Sequence, residues 1–128
     1  MTIEFESLPR EKQRVEIIRM RAMQVWLEST NPDQLANWQI AEQQLCDEKP
    51  EFRIAKAIYR FISSTCKVSI EEIADAQPLQ RYITNQLEYN ILLAKILWTS
   101  NRNMVFLPDM EPTATIGEFI DILVAKGA

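Results

Sequence analysis

The strongest constraint on the fold is the spacing of the apolar residues, which recur every three or four positions along most of the 128-residue chain. This period places them on one side of an α-helix, whereas a half-buried strand requires strict alternation. Only the short apolar run at 104–107 has strand character. The pattern therefore predicts an all-α fold.

Capping residues and prolines divide this pattern into two regions. A first helix is expected to end near Ser29, and Asn31 is the predicted N-cap of a second helix. The polar residues 47–50 form the best internal boundary. We therefore predict an N-terminal helical hairpin over 1–48, packed on a helical bundle over 49–128.

Further capping motifs indicate where the remaining helices begin. We expect long helices after Pro50 and over 85–99, a short helical turn near residue 70, and a last helix after residue 115. The additional predicted N-caps are Ser7, Ser69, Thr84 and Thr115.

Two groups of residues in the hairpin are expected to have structural roles only. Large aromatics at helical spacing usually pack between helices, so Trp26 and Trp38 are predicted core anchors. The densest basic stretch alternates with Glu11 and Glu16, which indicates a solvated helix face. The members of that stretch are Arg10, Lys12, Arg14, Arg19 and Arg21.

Composition argues against most enzyme classes. The chain has no histidine, which excludes Ser-His-Asp catalysis and His-ligated zinc or haem, and its 2 glycines exclude a Gly-rich phosphate loop. The net charge of −4 does not favour nucleic-acid binding. We therefore expect neither an enzyme nor a cofactor.

The thiols and the absence of targeting signals favour a cytoplasmic protein. Cys46 and Cys66 are far apart without a CxxC spacing, so reduced thiols are expected instead of a disulfide or zinc site. The N-terminus lacks the apolar core of a signal peptide, and no stretch approaches the roughly 20 apolar residues of a membrane span.

The acidic clusters and Cys66 do not indicate a catalytic or metal site. Glu71 with Glu72 suggests helix capping more than acid–base catalysis. Asp75, Asp109 and Glu111 lack the spacing of a calcium loop, so no metal site is predicted. Cys66 has only Lys67 nearby to lower its pKa, which does not indicate a reactive thiol.

Five segments of residues 52–126 occur in an order and spacing that resemble an acyl carrier protein. The first is the helix after Pro50, and 68–73 resembles the family motif V-x-x-E-E-I. Residues 85–88 lie where carriers have Asp-Ser-Leu-Asp/Glu. The last two, 107–109 and 113–123, are similar to I-P-D and to the closing T-V-x-x-x-I-D-Y-I.

The departures from this family concern the attachment of its prosthetic group. In carriers, a serine at the start of the second long helix carries phosphopantetheine, and the helix N-terminus stabilises the phosphate. Gln86 occupies that position here, preceded by Asn85, and 81–83 replace the family's Asp-Leu-Gly. Because a carboxamide has no hydroxyl to esterify, the resemblance predicts a carrier-like domain without a prosthetic group.

The resemblance also implies a partner surface, since carriers dock on other proteins through this helix. From residue 50 onward there are 9 acidic and 8 basic residues, so the strong negative charge of a carrier is missing. We predict binding to a protein of an acyl-transfer, lipid or polyketide biosynthetic system. The expected contact residues are Arg81, Tyr82, Gln86, Tyr89, Asn90, Leu93 and Lys95.

Other interpretations stay open. Apolar residues cover more than one face of helix 85–99, so either the hairpin packs over that helix, or the helix meets a partner or a second copy. The chain could also be a genuine carrier with an atypical attachment residue, or a structural homodimer. A lipid held in the bundle is a further alternative.

The hairpin carries a weaker resemblance of its own. Residues 21–26 and 38–42 resemble the pattern R-A-x-x-x-W … W-x-x-A-E of a small bacterial two-helix domain of unknown function. This resemblance implies no activity.

Overall fold

The computed structural model describes residues 4–100 and 114–127, and the side chains of all of these except 99 and 100. The described residues form an all-α fold, as predicted. Five helices are α1 (Arg10–Ser29), α2 (Gln34–Glu48), α3 (Pro50–Cys66), α4 (Gln86–Ser100) and α5 (Ile116–Ala125). Short 3-10 turns lie at Phe5–Ser7, Ile70–Glu72 and Leu79–Arg81. The apolar run at 104–107 lies outside the described residues.

The first two helices begin a few residues later than their predicted caps. Ser7 ends a 3-10 turn and donates its hydroxyl to the Glu4 carbonyl at 2.7 Å, so it does not cap α1. Asn31 accepts from the backbone N–H of Asp33 at 3.0 Å, and Asp33 itself caps α2. Both predicted caps were wrong because each side chain is used by a local turn before its helix.

Two other predicted caps are confirmed. The Ser69 hydroxyl accepts from the backbone N–H of Glu71 at 3.3 Å at the start of the turn Ile70–Glu72. The Thr115 hydroxyl accepts from the backbone N–H of Glu118 at 3.1 Å at the start of α5. Each bond satisfies an amide that the first helical turn leaves unpaired.

The hairpin, α1 with α2, has a small apolar core that includes one residue of α3. Trp38 packs against this core, as predicted. Trp26 is 51% exposed, so the prediction that it anchors the core was wrong. Its neighbour Val25 takes the inward position instead, because successive helical residues point about 100° apart. The core residues are Ile18, Val25, Ala41, Leu45, Cys46 and Phe52.

The body, α3 with α4 and α5, encloses the larger core. It is continuous from α3 through the loop before α4 to the last helix, and most of its members are fully buried. Representative members are Ile54, Ile58, Ile62, Leu79, Ile83, Leu92, Ile96, Ile116, Ile120 and Leu123.

The third helix joins the two parts, since α2 packs on one end of α3 and both α4 and α5 pack along it. Among the described residues the hairpin's main packing is therefore on α3, and the expectation that it covers α4 is corrected. The turn from α2 to α3 takes only one residue, Lys49, which fixes this arrangement. None of the described helices is both long enough and apolar enough to cross a membrane.

Candidate functional site

The start of α4 is the position where the carrier resemblance places the attachment residue. Asn85 caps this helix, because its side-chain oxygen accepts from the backbone N–H of Glu88 at 2.8 Å. Thr84 lies two residues before the first residue of α4, and its backbone N–H points to the Glu88 carboxylate at 3.5 Å. The prediction that Thr84 caps α4 was therefore wrong, because Asn85 takes that role.

Gln86 is the first residue of α4 and is exposed. Its side-chain N–H donates to the Asn90 amide oxygen at 2.9 Å, one helical turn further on. The amide thus stands at the opening turn of the helix, where it can donate and accept hydrogen bonds. It has no hydroxyl with which to form a phosphate ester.

Three of the residues predicted to contact a partner are buried instead. The Tyr82 hydroxyl donates to the Gln77 side-chain oxygen at 2.8 Å, and Tyr89 packs on Phe119 with ring centroids 5.7 Å apart. Leu93 belongs to the core of the body. These three residues lie beneath the start of α4 and are not part of its exposed surface.

The charged residues of the predicted surface are exposed at its edge. The Arg81 guanidinium lies 5.7 Å from the Tyr82 ring, and the Lys95 amino group lies 5.6 Å from the Phe61 ring. Such cation–π contacts hold a cation near the surface without removing it from water.

An exposed apolar line along α4 completes the site. We call it the α4 stripe, and it consists of Leu87, Ile91, Ala94 and Trp98. Spacings of four, three and four residues place these side chains on one helical face. Leu87 is 69% exposed and Trp98 is 88% exposed, so the described residues leave much of this face open.

The partly buried thiol of Cys66 lies beside the same loop and donates to the Tyr82 carbonyl at 3.4 Å. Burial and the nearby Glu88 carboxylate raise the pKa of Cys66 above its ordinary value. A raised pKa reduces the thiolate fraction at neutral pH, which agrees with the expectation of an unreactive thiol.

A second polar site, which the sequence did not reveal, lies where α1 meets the body. Both terminal nitrogens of Arg14 donate to the Asp75 carboxylate, at 2.6 and 2.7 Å, and the Tyr59 hydroxyl donates to it at 2.5 Å. All three side chains are buried. The prediction that Arg14 lies on a solvated face was therefore wrong.

Arg10 extends this buried cluster towards the surface. It pairs with Glu51 at 3.1 Å and with Asp121 at 2.9 Å, and it donates to the Gly117 carbonyl at 3.1 Å. The contacts of Arg10 and Arg14 thus join the hairpin to α3, to the loop around residue 75 and to α5. We call the five residues Arg10, Arg14, Glu51, Tyr59 and Asp75 the junction cluster.

Burial and hydrogen bonding act in opposite directions on the pKa of Asp75. Burial alone would raise this pKa, but the hydrogen bonds from Arg14 and Tyr59 and the charges of Arg14 and Arg10 lower it overall. Burial and the neighbouring carboxylate raise the pKa of Tyr59 far above its usual range. Asp75 therefore stays ionised and fully engaged, which suits a structural joint and not a general base.

Part of this cluster could have been anticipated. Arg14 precedes Ile18 by four residues and Val25 by eleven, so it falls on the inward stripe of α1. No comparable signal marks Asp75, since it lies in a loop 61 residues further along the chain. Among the described residues no group of acidic or thiol side chains could hold a metal ion, and Asp109 and Glu111 lie outside them.

Comparison with known proteins finds no relative of this chain. No family model matches it, and searches of curated proteins and of solved structures give no match.

Proposed function

We propose that this chain is a non-catalytic protein-binding module, in which a carrier-like helical body without a prosthetic group presents α4 to a partner. The observation that carries the proposal is the α4 stripe, an exposed apolar helix face that begins beside Gln86. Isolated apolar residues are common on surfaces, but an aligned row is typical of binding faces.

The chemistry of α4 favours a partner that is recognised by apolar contact. Glu88 and Lys95 are the charged side chains on this helix, and their charges cancel. Trp98 supplies a large aromatic group of the kind that dominates binding energy at interfaces. The carrier resemblance makes a protein of an acyl-transfer, lipid or polyketide system the natural candidate.

In-cell photo-crosslinking tests this proposal. A photoreactive residue at position 87 or 91 samples the α4 stripe, and one at Gln39, which is exposed on α2, serves as the control. We expect a discrete heterologous crosslink from positions 87 and 91 that position 39 does not give. Crosslinks only to a second copy would favour the structural homodimer, and no position-dependent crosslink would contradict partner binding through α4.

The absence of a prosthetic group has a separate test. The purified protein is incubated with coenzyme A and a phosphopantetheinyl transferase, and its intact mass is measured beside an ordinary carrier. We expect no mass change, because Gln86 offers no hydroxyl at the start of α4. A gain of one phosphopantetheine would overturn the proposal in favour of a genuine carrier with an atypical attachment residue.

A further inference from the structure

A cavity of about 280 Å³ lies between the hairpin and α3. Residues of α1, α2, α3 and the turn Ile70–Glu72 line it. Its lining includes Ala55, Tyr59 and Ile73 from the core of the body and no residue of the α4 stripe. Its walls are mostly apolar, formed by Val15, Ile18, Cys46, Phe52, Ala55 and Ile73.

The size and lining of this cavity suit a small organic molecule. An apolar cavity of about 150 Å³ already binds benzene, and ligand pockets begin near roughly 300 Å³. Arg14 and Tyr59 also line the cavity, but their hydrogen bonds to Asp75 are already made. An apolar ligand can therefore pack against the interior of the cavity without forming hydrogen bonds to these two polar side chains.

Two cations of the lining have no ionic partner among the described residues, so they can meet an anionic group. Lys56 is paired with Glu42 at 2.6 Å, and the Glu11 carboxylate accepts from the backbone N–H of Asp75 at 3.4 Å. Lys12 and Arg60 are exposed, line the cavity and form no ion pair with any described residue. The lining also holds two carboxylates without an ion pair among the described residues, Glu71, which is exposed, and Glu11, which faces the backbone of Asp75.

We propose that this cavity binds a small amphiphile with an apolar body and an anionic group, such as a medium-chain carboxylic acid. The apolar body lies against Ile18, Cys46 and Phe52, and the carboxylate lies near Lys12 and Arg60 at the exposed edge. This inference does not depend on the proposed function, since it concerns a different surface of the molecule.

The two cysteines provide a built-in test. Cys46 lines the cavity, whereas Cys66 ends α3 outside it. The folded protein is treated with iodoacetamide at neutral pH, with and without decanoate below its micelle concentration, and modification of each cysteine is followed by peptide mass spectrometry. At about ten times the dissociation constant, decanoate should slow modification of Cys46 by roughly tenfold and leave Cys66 unchanged.

A matched pair of variants shows whether the cavity itself is responsible. Val15→Trp places a large side chain at the cavity wall, and because Val15 is 45% exposed, the fold can accommodate the change. Leu27→Trp makes an equally bulky change on α1 at a residue that does not line the cavity and is 67% exposed. Decanoate should lose its effect on Cys46 in the first variant and keep it in the second.

Changing the head group tests the assignment of charge. Decanol and decylamine carry the same chain, and we expect decanoate to protect Cys46 at the lowest concentration and decylamine at the highest. Equal protection by decanol would overturn the anionic assignment. No protection by any of the three, or protection that survives Val15→Trp, would overturn the site.

Discussion

The hairpin and the body of this protein are stabilised in different ways. The body buries a continuous apolar core in which residues such as Ile58, Ile96 and Ile120 are fully enclosed. The hairpin has a smaller core of six residues, and one of these, Phe52, is supplied by α3. The body is thus held mainly by apolar burial, and the hairpin depends on its attachment.

That attachment is largely polar. Phe52 of α3 completes the hairpin core, and the junction cluster adds a buried ion pair between Arg14 and Asp75. Breaking one partner of a buried ion pair is costly, although the intact pair adds little beyond what apolar residues would supply. The comparison therefore predicts that the junction fails abruptly when one charge is removed.

The largest effect is expected for Asp75→Ala, which leaves the buried Arg14 guanidinium without its carboxylate. We expect a loss of about 3–5 kcal/mol in the free energy of unfolding, measured by urea denaturation. Hydrogen exchange should increase more in α1 and α2 than in α4, because the hairpin loses its anchor.

Two further variants serve as controls for this result. Arg14→Met combined with Asp75→Leu removes both charges and should recover most of the lost stability. Arg21→Ala breaks an exposed pair with Glu48 and should cost far less than Asp75→Ala. Equal losses for Asp75→Ala and Arg21→Ala would contradict a buried junction.

Core truncations compare the two apolar clusters directly. Ile120→Ala in the body should cost about 3–4 kcal/mol, and Leu45→Ala in the hairpin about 2 kcal/mol, both within the range for buried aliphatic residues. The difference arises because the thin hairpin core can collapse around the lost volume more easily. A larger loss for Leu45→Ala in the same denaturation assay would show that the hairpin core is not the weaker one.

The pH dependence of the junction follows from the pKa directions. The pKa of Asp75 is lowered on folding, so its stabilising contribution is present above the unfolded value of 3.8 and is lost as pH falls through the lower folded value. Hydrogen exchange at pH 2–4 should therefore increase first in α1. If α4 and α5 open at higher pH than α1, the junction is not the acid-sensitive element.

At high pH the direction reverses for Tyr59. Its pKa is raised on folding, so its contribution is complete below the unfolded value of 10 and declines as pH rises above it. Tyr59→Phe should remove this alkaline loss in a series of denaturation curves. An unchanged alkaline slope in that variant would assign the loss to other groups.

The smallest effects are expected at the helix caps, one in each region. Asp33→Ala at α2 and Thr115→Ala at α5 each remove the acceptor for one amide of the first turn and should cost about 1 kcal/mol. Thr115→Ser keeps the hydroxyl and should retain most of the stability. If Thr115→Ser and Thr115→Ala lose the same amount, the hydroxyl is not the stabilising group.

The fold class, the helices after Pro50 and the caps at Ser69 and Thr115 were predictable from the sequence. These features are local, because a cap bonds an amide only two or three residues away. The predicted caps at Asn31 and Ser7 failed for an equally local reason, since competing turns used those side chains first.

The junction cluster and the faces of α4 depend on contacts that no local pattern contains. Arg14 carries the charge of a surface residue, and only its distant partner Asp75 allows it to be buried. Likewise Tyr89 and Leu93 lie on the inner face of α4, where Tyr89 packs on Phe119 of α5, whereas Leu87 is 69% exposed. The helix predicted over 85–99 is present as α4, and Gln86 is its first residue.

The most direct test of the central claim compares two leucines of nearly equal exposure, Leu87 on the body and Leu27 on the hairpin. Once crosslinking has identified the partner, its affinity is measured by calorimetry for Leu87→Glu and for Leu27→Glu. We predict that Leu87→Glu weakens binding at least tenfold, a change of about 1.4 kcal/mol, and that Leu27→Glu leaves it unchanged. Loss of binding in Leu27→Glu with full binding in Leu87→Glu would contradict the account, because the partner would then dock on the hairpin.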